Sequence, residues 1–181
     1  MQGHLGKPLN KIGLEQSKKL GLRLKDTKID VAYISDLSRA VETAAEVLAY
    51  HPSLKPIYSQ EIRERSYGIY EAKHRDIYLA AAKKANVSYN QFKPEGGESV
   101  VEARKRSLHF FHKICEKHHH ETVLVVSHGG FIRAFVSAIL NEPLETGKYC
   151  NYRQLNTAVS IIDVNYNNCV VDIFNSVDHL G

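Results

Sequence analysis

The sequence predicts an α/β fold in which a mostly parallel sheet is flanked by helices. Strand-like and helix-like segments alternate along the chain, which is the arrangement of layered α/β proteins. Residues 30–35 and 122–127 are short, largely apolar runs of the kind that form buried parallel strands. The length of 181 residues, with 43% hydrophobic and 24% charged content, suits one folded unit, and no repeat or linker divides it. We therefore expect a single domain over residues 1–181.

The first half of the chain predicts a helix, a strand and a second helix. Asn10 can cap a helix with a leucine-rich face that ends near Asp26. Residues 30–35 then form a buried strand, after which Ser35 or Asp36 is expected to cap the next helix. The inner side of that helix is predicted to carry Leu37, Ala40, Val41, Ala44, Val47 and Leu48.

The second half continues the alternation and ends in a hairpin. Residues 71–85 are rich in alanine and lysine and predict an exposed helix, and residues 86–99 are loop-like. Residues 122–127 are the strongest predicted strand and should be covered on both faces. Residues 159–163 and 169–174 are predicted to pair as a hairpin. A long helix between the loop and the second strand carries, at helical spacing, Val101, Leu108, Phe111 and Cys115.

The composition of the chain bears on its partners and on its cellular compartment. The formal net charge of +4 favours anions in general, but no basic stripe with interleaved aromatic residues indicates nucleic acid. Three cysteines without close spacing indicate free thiols in a reducing compartment. No apolar stretch is long enough to span a bilayer. We expect a cytoplasmic protein without a nucleic-acid or membrane partner.

The turn formed by residues 127–130, Ser-His-Gly-Gly, follows the strongest predicted strand and opens a helix. Glycine at Gly129 lets a ligand approach the backbone, and the start of a helix offers unpaired N–H groups to an anion. A phosphate could bind there with His128 as a further donor. The alternative is a simple tight turn with a satisfied polar histidine.

Arg39 and Glu64 are candidates for the same chemistry. The Arg39 guanidinium, near a helix start, suits phosphate oxygens, although an ion pair with Asp36 or Glu42 would be the ordinary arrangement. Glu64 could protonate the leaving oxygen of a phosphoester if it were neutral. Its two arginine neighbours favour the ionised form instead, and a solvated charge cluster is the alternative.

Two further segments are weaker candidates. Residues 2–4, Gln-Gly-His, could contact a phosphate or a sugar, or could be a disordered terminus. Residues 118–120 are three consecutive histidines, but consecutive side chains point in different directions and lack spaced partners. We expect them to end a helix, without a metal site.

Residues 35–43, 63–65 and 127–130, in this order, resemble the histidine phosphatase (phosphoglycerate mutase-like) superfamily. Residues 62–68 and the loop at residues 94–99 are most similar to the TIGAR-type fructose-2,6-bisphosphatases within it. Residues 2–4 and 156–158 also match the superfamily.

The resemblance implies a hydrolase that needs no metal or other cofactor and acts on a small phosphorylated metabolite, with fructose 2,6-bisphosphate as the candidate. In this family a histidine nucleophile takes the phosphoryl group and water then hydrolyses the phosphohistidine. By motif match, Arg39 would clamp the phosphoryl oxygens, Glu64 would act as general acid and then base, and His128 would donate a hydrogen bond. The residues implied in substrate binding are Gln2, Gly3, Arg39, Glu98, Ser99, Gly129 and Asn156.

One part of the family pattern is absent from these residues. The family's first strand and the Arg-His-Gly loop that carries the nucleophile are missing, and His4 matches a different position. We expect an N-terminally truncated domain that is nearly inactive. Exposed strand edges should make it less stable and prone to association, whereas the complete protein would be a monomer. The alternative is a pseudo-phosphatase that binds phosphorylated metabolites or protein partners without turnover.

Overall fold

Helices and strands alternate through residues 1–144, 152–165 and 168–181, which are the residues that the computed structural model describes. The helices are α1 (Lys11–Leu24), α2 (Ser38–Leu48), α3 (Arg75–Lys84), α4 (Val100–Lys117) and α5 (Gly129–Ile139). The strands are β1 (Val31–Ser35), β2 (Ile57–Ser59), β3 (Val123–Val126), β4 (Val159–Asn165) and β5 (Asn168–Ser176). The predicted α/β class is confirmed.

The parallel part of the sheet has the strand order β2-β1-β3, with both pairs parallel. Tyr33 of the central strand faces Ile57 on one side and Val125 on the other. Ala32 and Ile34 are completely buried in β1, as expected of a strand with neighbours on both edges. Because the strands are parallel, the carboxyl ends of β1 and β3 lie at the same edge of the sheet.

β4 and β5 form a separate antiparallel hairpin, as predicted, with Asp163 opposite Val170. The described residues of this hairpin are all half-buried or exposed. Contacts from α1 tie its end to the rest of the molecule. Lys19 Nζ donates to the Leu180 carbonyl at 2.9 Å, and Arg23 Nη1 donates to Ser176 Oγ at 2.8 Å.

β3 differs from the prediction that it is covered on both faces. All four of its residues are half-buried. One edge pairs with β1, and no strand in the described part of the chain pairs with the other edge. The reduced burial of β3 compared with β1 follows from this position at the side of the sheet.

The core beneath the sheet holds four buried aromatic and aliphatic side chains, Tyr33, Ile62, Phe110 and Phe131. A second cluster lies between α4 and α5, and its buried members are Val100, Ala103, Ala134 and Leu144. Both clusters use the same face of α4, on which Ser107 is also fully buried.

The inward face of α4 carries the buried residues Val100, Ala103, Ser107 and Phe110. The residues noted for their helical spacing, Val101, Leu108, Phe111 and Cys115, are only half-buried. Alanine and serine at positions 103, 107, 134 and 137 allow α4 and α5 to approach closely.

Local features confirm one predicted cap and correct another. Asn10 caps α1 by accepting a hydrogen bond from the Gly13 N–H at 2.8 Å. α2 begins after Leu37 and has no side-chain cap, so neither Ser35 nor Asp36 caps it. The predicted exposed helix is shorter than expected and buries Tyr78.

Two hydrogen bonds hold the histidine that ends α4. His118 follows α4, and its ring nitrogens lie 2.8 Å from the Tyr33 hydroxyl and 2.8 Å from Glu121 Oε2. Within the described ranges, no helix has the length and apolar character needed to cross a membrane.

Candidate active site

The carboxyl ends of β1 and β3 bring together side chains that are distant in sequence. Ser35 ends β1, and His128 follows β3. A hydrogen bond of 2.7 Å joins His128 Nε2 to Ser35 Oγ. Glu64, from the loop after β2, reaches the first turn of α5, where its Oε2 accepts the Gly130 N–H at 3.1 Å. Three loops therefore meet at one edge of the parallel sheet.

His128 is a buried, neutral imidazole. Only 7% of its surface is exposed. Burial, followed by the positive charge of Arg39 and smaller contributions from His4 and Arg106, lowers the pKa of His128 to about 3. At neutral pH the ring therefore carries one N–H donor and one acceptor nitrogen.

The Glu64 carboxylate is held by two backbone amides. Its Oε1 accepts the Arg65 N–H at 2.8 Å, while Oε2 accepts the N–H of Gly130. A Cβ added at Gly130 would lie 2.2 Å from Glu64 Oε1, so the Glu64 side chain would have to move from its position. The start of α5, which the sequence suggested for phosphate, thus receives a carboxylate in this structure.

Arg39 contacts the N-terminal segment. Its Nη1 donates to the Leu5 carbonyl at 3.0 Å and its Nη2 donates to the Gly3 carbonyl at 2.8 Å. The ion pair with Asp36 or Glu42 that was the alternative is not formed. Burial lowers the pKa of Arg39, although a guanidinium remains charged at any physiological pH.

The first residues are ordered against the site. Gly3 is buried with φ at +54°, and the His4 N–H donates to Glu71 Oε1 at 2.9 Å. His4 Nε2 forms a 2.7 Å hydrogen bond with the Glu64 carbonyl oxygen. Gln2 is exposed beside them. Terminal disorder, the alternative for this segment, is not what the structure shows.

The other residues predicted to bind substrate, Glu98, Ser99 and Asn156, have different surroundings. Glu98 accepts two hydrogen bonds from Arg106, from Nε at 2.9 Å and from Nη2 at 2.7 Å. Ser99 caps α4 in a reciprocal capping box with Glu102. Asn156 is exposed in the loop before β4.

An open pocket of about 300 Å³ adjoins the site. Two carboxylate–guanidinium pairs border it, one between Glu98 and Arg106 and the other between Asp36 and Arg63, with 2.6 Å between Arg63 Nε and Asp36 Oδ1. The hydrogen bonds from Arg63 lower the pKa of Asp36. The lining residues are His4, Gln60, Arg63, Ser66, Gly96, Gly97, Glu98 and Arg106.

Ser35 and Arg106 were not predicted as parts of this region, whereas Gly130 was included in the turn at residues 127–130. Ser35 ends a predicted strand, so its position at a strand end, like that of His128, could have identified it. Nothing in the local sequence distinguishes Arg106 from other arginines on a helix. The described residues contain no group of three histidine, cysteine or acidic residues that could hold a metal ion.

An imidazole, a carboxylate and a guanidinium lie near this edge of the sheet. A neutral imidazole can donate a hydrogen bond, a positioned carboxylate can accept or return a proton, and a guanidinium supplies positive charge. The backbone N–H of Gly129 is a further donor at the start of α5, where the Gly130 N–H is already bonded to Glu64. Such a set suits an anionic ligand whose reaction includes a proton transfer.

The fold matches solved structures closely. The protein YhfR of Bacillus stearothermophilus superposes with a TM-score of 0.88 and 29% sequence identity, covering 100% of this chain and 91% of that chain.

Similar proteins are also found by sequence. Phosphoglycerate mutase-like protein 4 of Arabidopsis thaliana is 30% identical over 190 residues, covering 99% of this chain and 79% of that protein. The metal-independent phosphoserine phosphatase of the same plant is 29% identical and covers 100% of this chain and 76% of its own length. The fructose-2,6-bisphosphatase TIGAR of Xenopus tropicalis is 32% identical over 119 residues, which is 64% of this chain and 43% of that protein. The profile of the histidine phosphatase superfamily (branch 1) matches residues 1–177, and the chain therefore belongs to that superfamily.

Proposed function

We propose that this protein acts on a small phosphate ester, which it binds at the carboxyl ends of β1 and β3. The observation that carries the proposal is the convergence of Arg39, Glu64 and His128 at that edge. The positive charge of Arg39 is close enough to affect the pKa of His128, and Glu64 lies against the helix that follows His128. Anion binding and proton transfer can therefore occur at one place.

Each of these residues has a distinct part in the proposed reaction. Neutral His128 donates a hydrogen bond to a phosphoryl oxygen, and Arg39 offsets the negative charge on the same group. In the family reaction, the nitrogen of a histidine nucleophile attacks phosphorus while the ester P–O bond breaks, and that histidine lies in an Arg-His-Gly loop that residues 1–181 do not contain. Glu64 must first bind a proton, which it then gives to the departing oxygen. Its carboxylate next takes a proton from the water that attacks the phosphohistidine, which releases phosphate and the free histidine. Glu98 and the backbone at Gly3 and Gly129 border the substrate, with Gln2, Ser99 and Asn156 as outer contacts.

The substrate is proposed to be a small phosphorylated metabolite. The relatives include a phosphoserine phosphatase, a fructose-2,6-bisphosphatase and an adenosylcobalamin/alpha-ribazole phosphatase, so their substrates differ. Fructose 2,6-bisphosphate is the first candidate, because residues 62–68 are most similar to the TIGAR type. The family resemblance implies that neither a metal nor another cofactor takes part.

A second function, binding without turnover, is favoured by a specific observation. Both histidines of the site already have partners. His128 is hydrogen-bonded to Ser35, and His4 is hydrogen-bonded to the Glu64 carbonyl. In this alternative the protein holds phosphorylated metabolites or protein partners as a pseudo-phosphatase.

Titration of the 181-residue chain with orthovanadate and inorganic phosphate, followed by calorimetry, tests the shared part of both functions. We expect saturable binding that His128→Ala weakens about tenfold or more, because a hydrogen bond to a charged ligand is lost. His119→Ala is the matched control, since His119 is exposed beyond α4.

Hydrolysis of p-nitrophenyl phosphate, fructose 2,6-bisphosphate and phosphoserine by the same preparations distinguishes the two functions. Turnover that Glu64→Gln abolishes supports the hydrolase. Binding without turnover supports the pseudo-phosphatase. If neither vanadate nor phosphate binds, both proposals fail.

A further inference from the structure

A buried cation lies directly behind the candidate site. Arg65 is only 1% exposed. Its guanidinium carbon is 4.5 Å from the ring centroid of Tyr67, 5.0 Å from that of Tyr89 and 5.3 Å from that of Tyr78. Nη1 donates to the Tyr78 hydroxyl at 3.1 Å, and Nη2 donates to the Tyr89 hydroxyl at 2.9 Å. We call Tyr67, Tyr78 and Tyr89 the tyrosine cage.

The tyrosine cage stabilises the charged guanidinium of Arg65 without a carboxylate partner. None of the ion pairs among the described residues includes Arg65. A buried charge is unfavourable unless its surroundings replace water, and here aromatic faces and phenol oxygens do so. A long apolar side chain would fill the same space without that desolvation cost. The presence of a guanidinium therefore points to a role other than filling the core.

The backbone of the caged residue leads directly to Glu64. The Arg65 N–H donates to Glu64 Oε1 at 2.8 Å, and the Gly130 N–H donates to the other carboxylate oxygen at 3.1 Å. One of the two amides that orient the carboxylate thus belongs to the residue whose side chain is immobilised. A rotation of that backbone would move its N–H away from Glu64.

The cage also connects a separate part of the chain to the site. Tyr78 lies on α3 and is fully buried, and its hydroxyl donates to the Phe92 carbonyl at 3.1 Å. Tyr89 lies in the loop after α3. The Arg65 side chain therefore connects this region, residues 75–92, to the backbone amide that binds Glu64.

We propose that Arg65 is a positioning residue, whose caged guanidinium fixes the amide that orients the Glu64 carboxylate. The catalytic meaning of this arrangement rests on the proposed phosphatase function, whereas the orientation itself does not. Docking of α3 and its following loop then determines whether Glu64 is correctly placed.

The Gly130 amide resonance in a ¹H–¹⁵N spectrum reports the orientation of Glu64 without requiring activity. Glu64→Ala supplies the reference position of a Gly130 amide that has lost its acceptor. We expect Arg65→Met to move the resonance at least halfway toward that reference. Tyr89→Phe, which removes one hydroxyl and keeps the ring, should move it in the same direction by a smaller amount.

Tyr70→Phe is the matched control. Tyr70 contacts the ring of Tyr78 at 5.6 Å between centroids, but it is outside the cage, so its variant should keep the parent resonance. A folded Arg65→Met and a folded Tyr89→Phe that both keep the parent Gly130 resonance would overturn the proposal. If Arg65→Met does not fold, the result with Tyr89→Phe decides alone.

A kinetic measurement separates this proposal from the function on which it rests. With p-nitrophenyl phosphate, Arg65→Met should lower kcat about tenfold with KM within about twofold, because a proton-transfer group is misplaced while phosphate contacts remain. A parent protein without turnover counts against the hydrolase and leaves the resonance to decide on Arg65. A parent with turnover whose kcat is unchanged in Arg65→Met contradicts the positioning role.

Discussion

At the scale of single residues, the environment of His128 decides its charge. The ring is 7% exposed and lies near Arg39, so both burial and a like charge oppose protonation. Its pKa of about 3 means that it stays neutral over the whole range in which an ordinary histidine titrates. A neutral ring avoids repulsion from Arg39, which is the condition for the hydrogen bond to a phosphoryl group that we propose for His128.

The lowered pKa of His128 predicts how the free energy of unfolding depends on pH. Between the unfolded pKa of about 6.5 and the folded pKa of about 3, the unfolded chain binds a proton at position 128 that the folded chain does not. The free energy of unfolding should therefore fall as the pH decreases below 6.5. From pH 7.5 to pH 5 we expect the parent to lose about 2 kcal/mol more than His128→Gln in urea denaturation.

A second substitution controls for general effects of removing a histidine. His119→Gln, at an exposed position, should follow the pH profile of the parent. Equal losses in the parent and in His128→Gln would show that the ring is not kept neutral in the folded protein.

The positions of the candidate residues could be predicted, but not their partners. Arg39 and His128 follow predicted parallel strands, and such strand ends meet at one edge of a sheet. That Arg39 donates to the carbonyls of Gly3 and Leu5 depends on where the N-terminal segment packs. Likewise, the bond from Gly130 to Glu64 depends on a loop position that local sequence does not determine.

At the scale of elements, α4 is held at its start by a capping box. The Ser99 Oγ accepts the Glu102 N–H at 3.1 Å, and Glu102 Oε2 accepts the Ser99 N–H at 3.0 Å. Because α4 packs on both core clusters, its first turn matters for the whole domain. The same serine was a candidate for substrate binding, so a substitution distinguishes the two roles.

Ser99→Ala should lower the free energy of unfolding by about 1 kcal/mol, the usual effect of removing a side-chain cap. If the cap is its main role, the affinity for orthovanadate should remain within about twofold of the parent. Urea denaturation and calorimetry measure the two quantities. Ser53→Ala, in an exposed loop, is the matched control. A large loss of affinity with unchanged stability would instead place Ser99 at the substrate.

β2 was not predicted from the sequence, because it is short and largely exposed. Only residues 57–59 belong to it, and two of the three are exposed. Pro56 precedes it, and no alternating pattern is visible over so short a run. The strand exists because β1 offers a paired edge, so its signal lies in the tertiary structure and not in the local sequence.

At the scale of the whole molecule, the described strands form two separate sheets, a parallel sheet of three strands and an antiparallel hairpin. The outer edge of β3 has no partner strand among the described residues, and its sequence, Val-Leu-Val-Val, carries no charge or proline. Proteins usually protect such edges with charged residues, proline or a covering element. On the hairpin, Ile161 is 42% exposed and Val170 is 52% exposed, so apolar surface is also accessible there.

These features predict self-association of the 181-residue chain. Light scattering coupled to size-exclusion chromatography should give an average mass that rises above that of one chain as the concentration increases. A double variant, Ile161→Lys and Val170→Lys, should reduce this rise, because two charges on the hairpin oppose the pairing of apolar strands. Ile12→Lys is the matched control, since Ile12 is 68% exposed on α1 and its variant adds a lysine outside the strands. If the parent has the mass of one chain at every concentration, the strand edges are not sites of association. If Ile12→Lys suppresses association as strongly as the hairpin variant, net charge and not the strand surface is responsible.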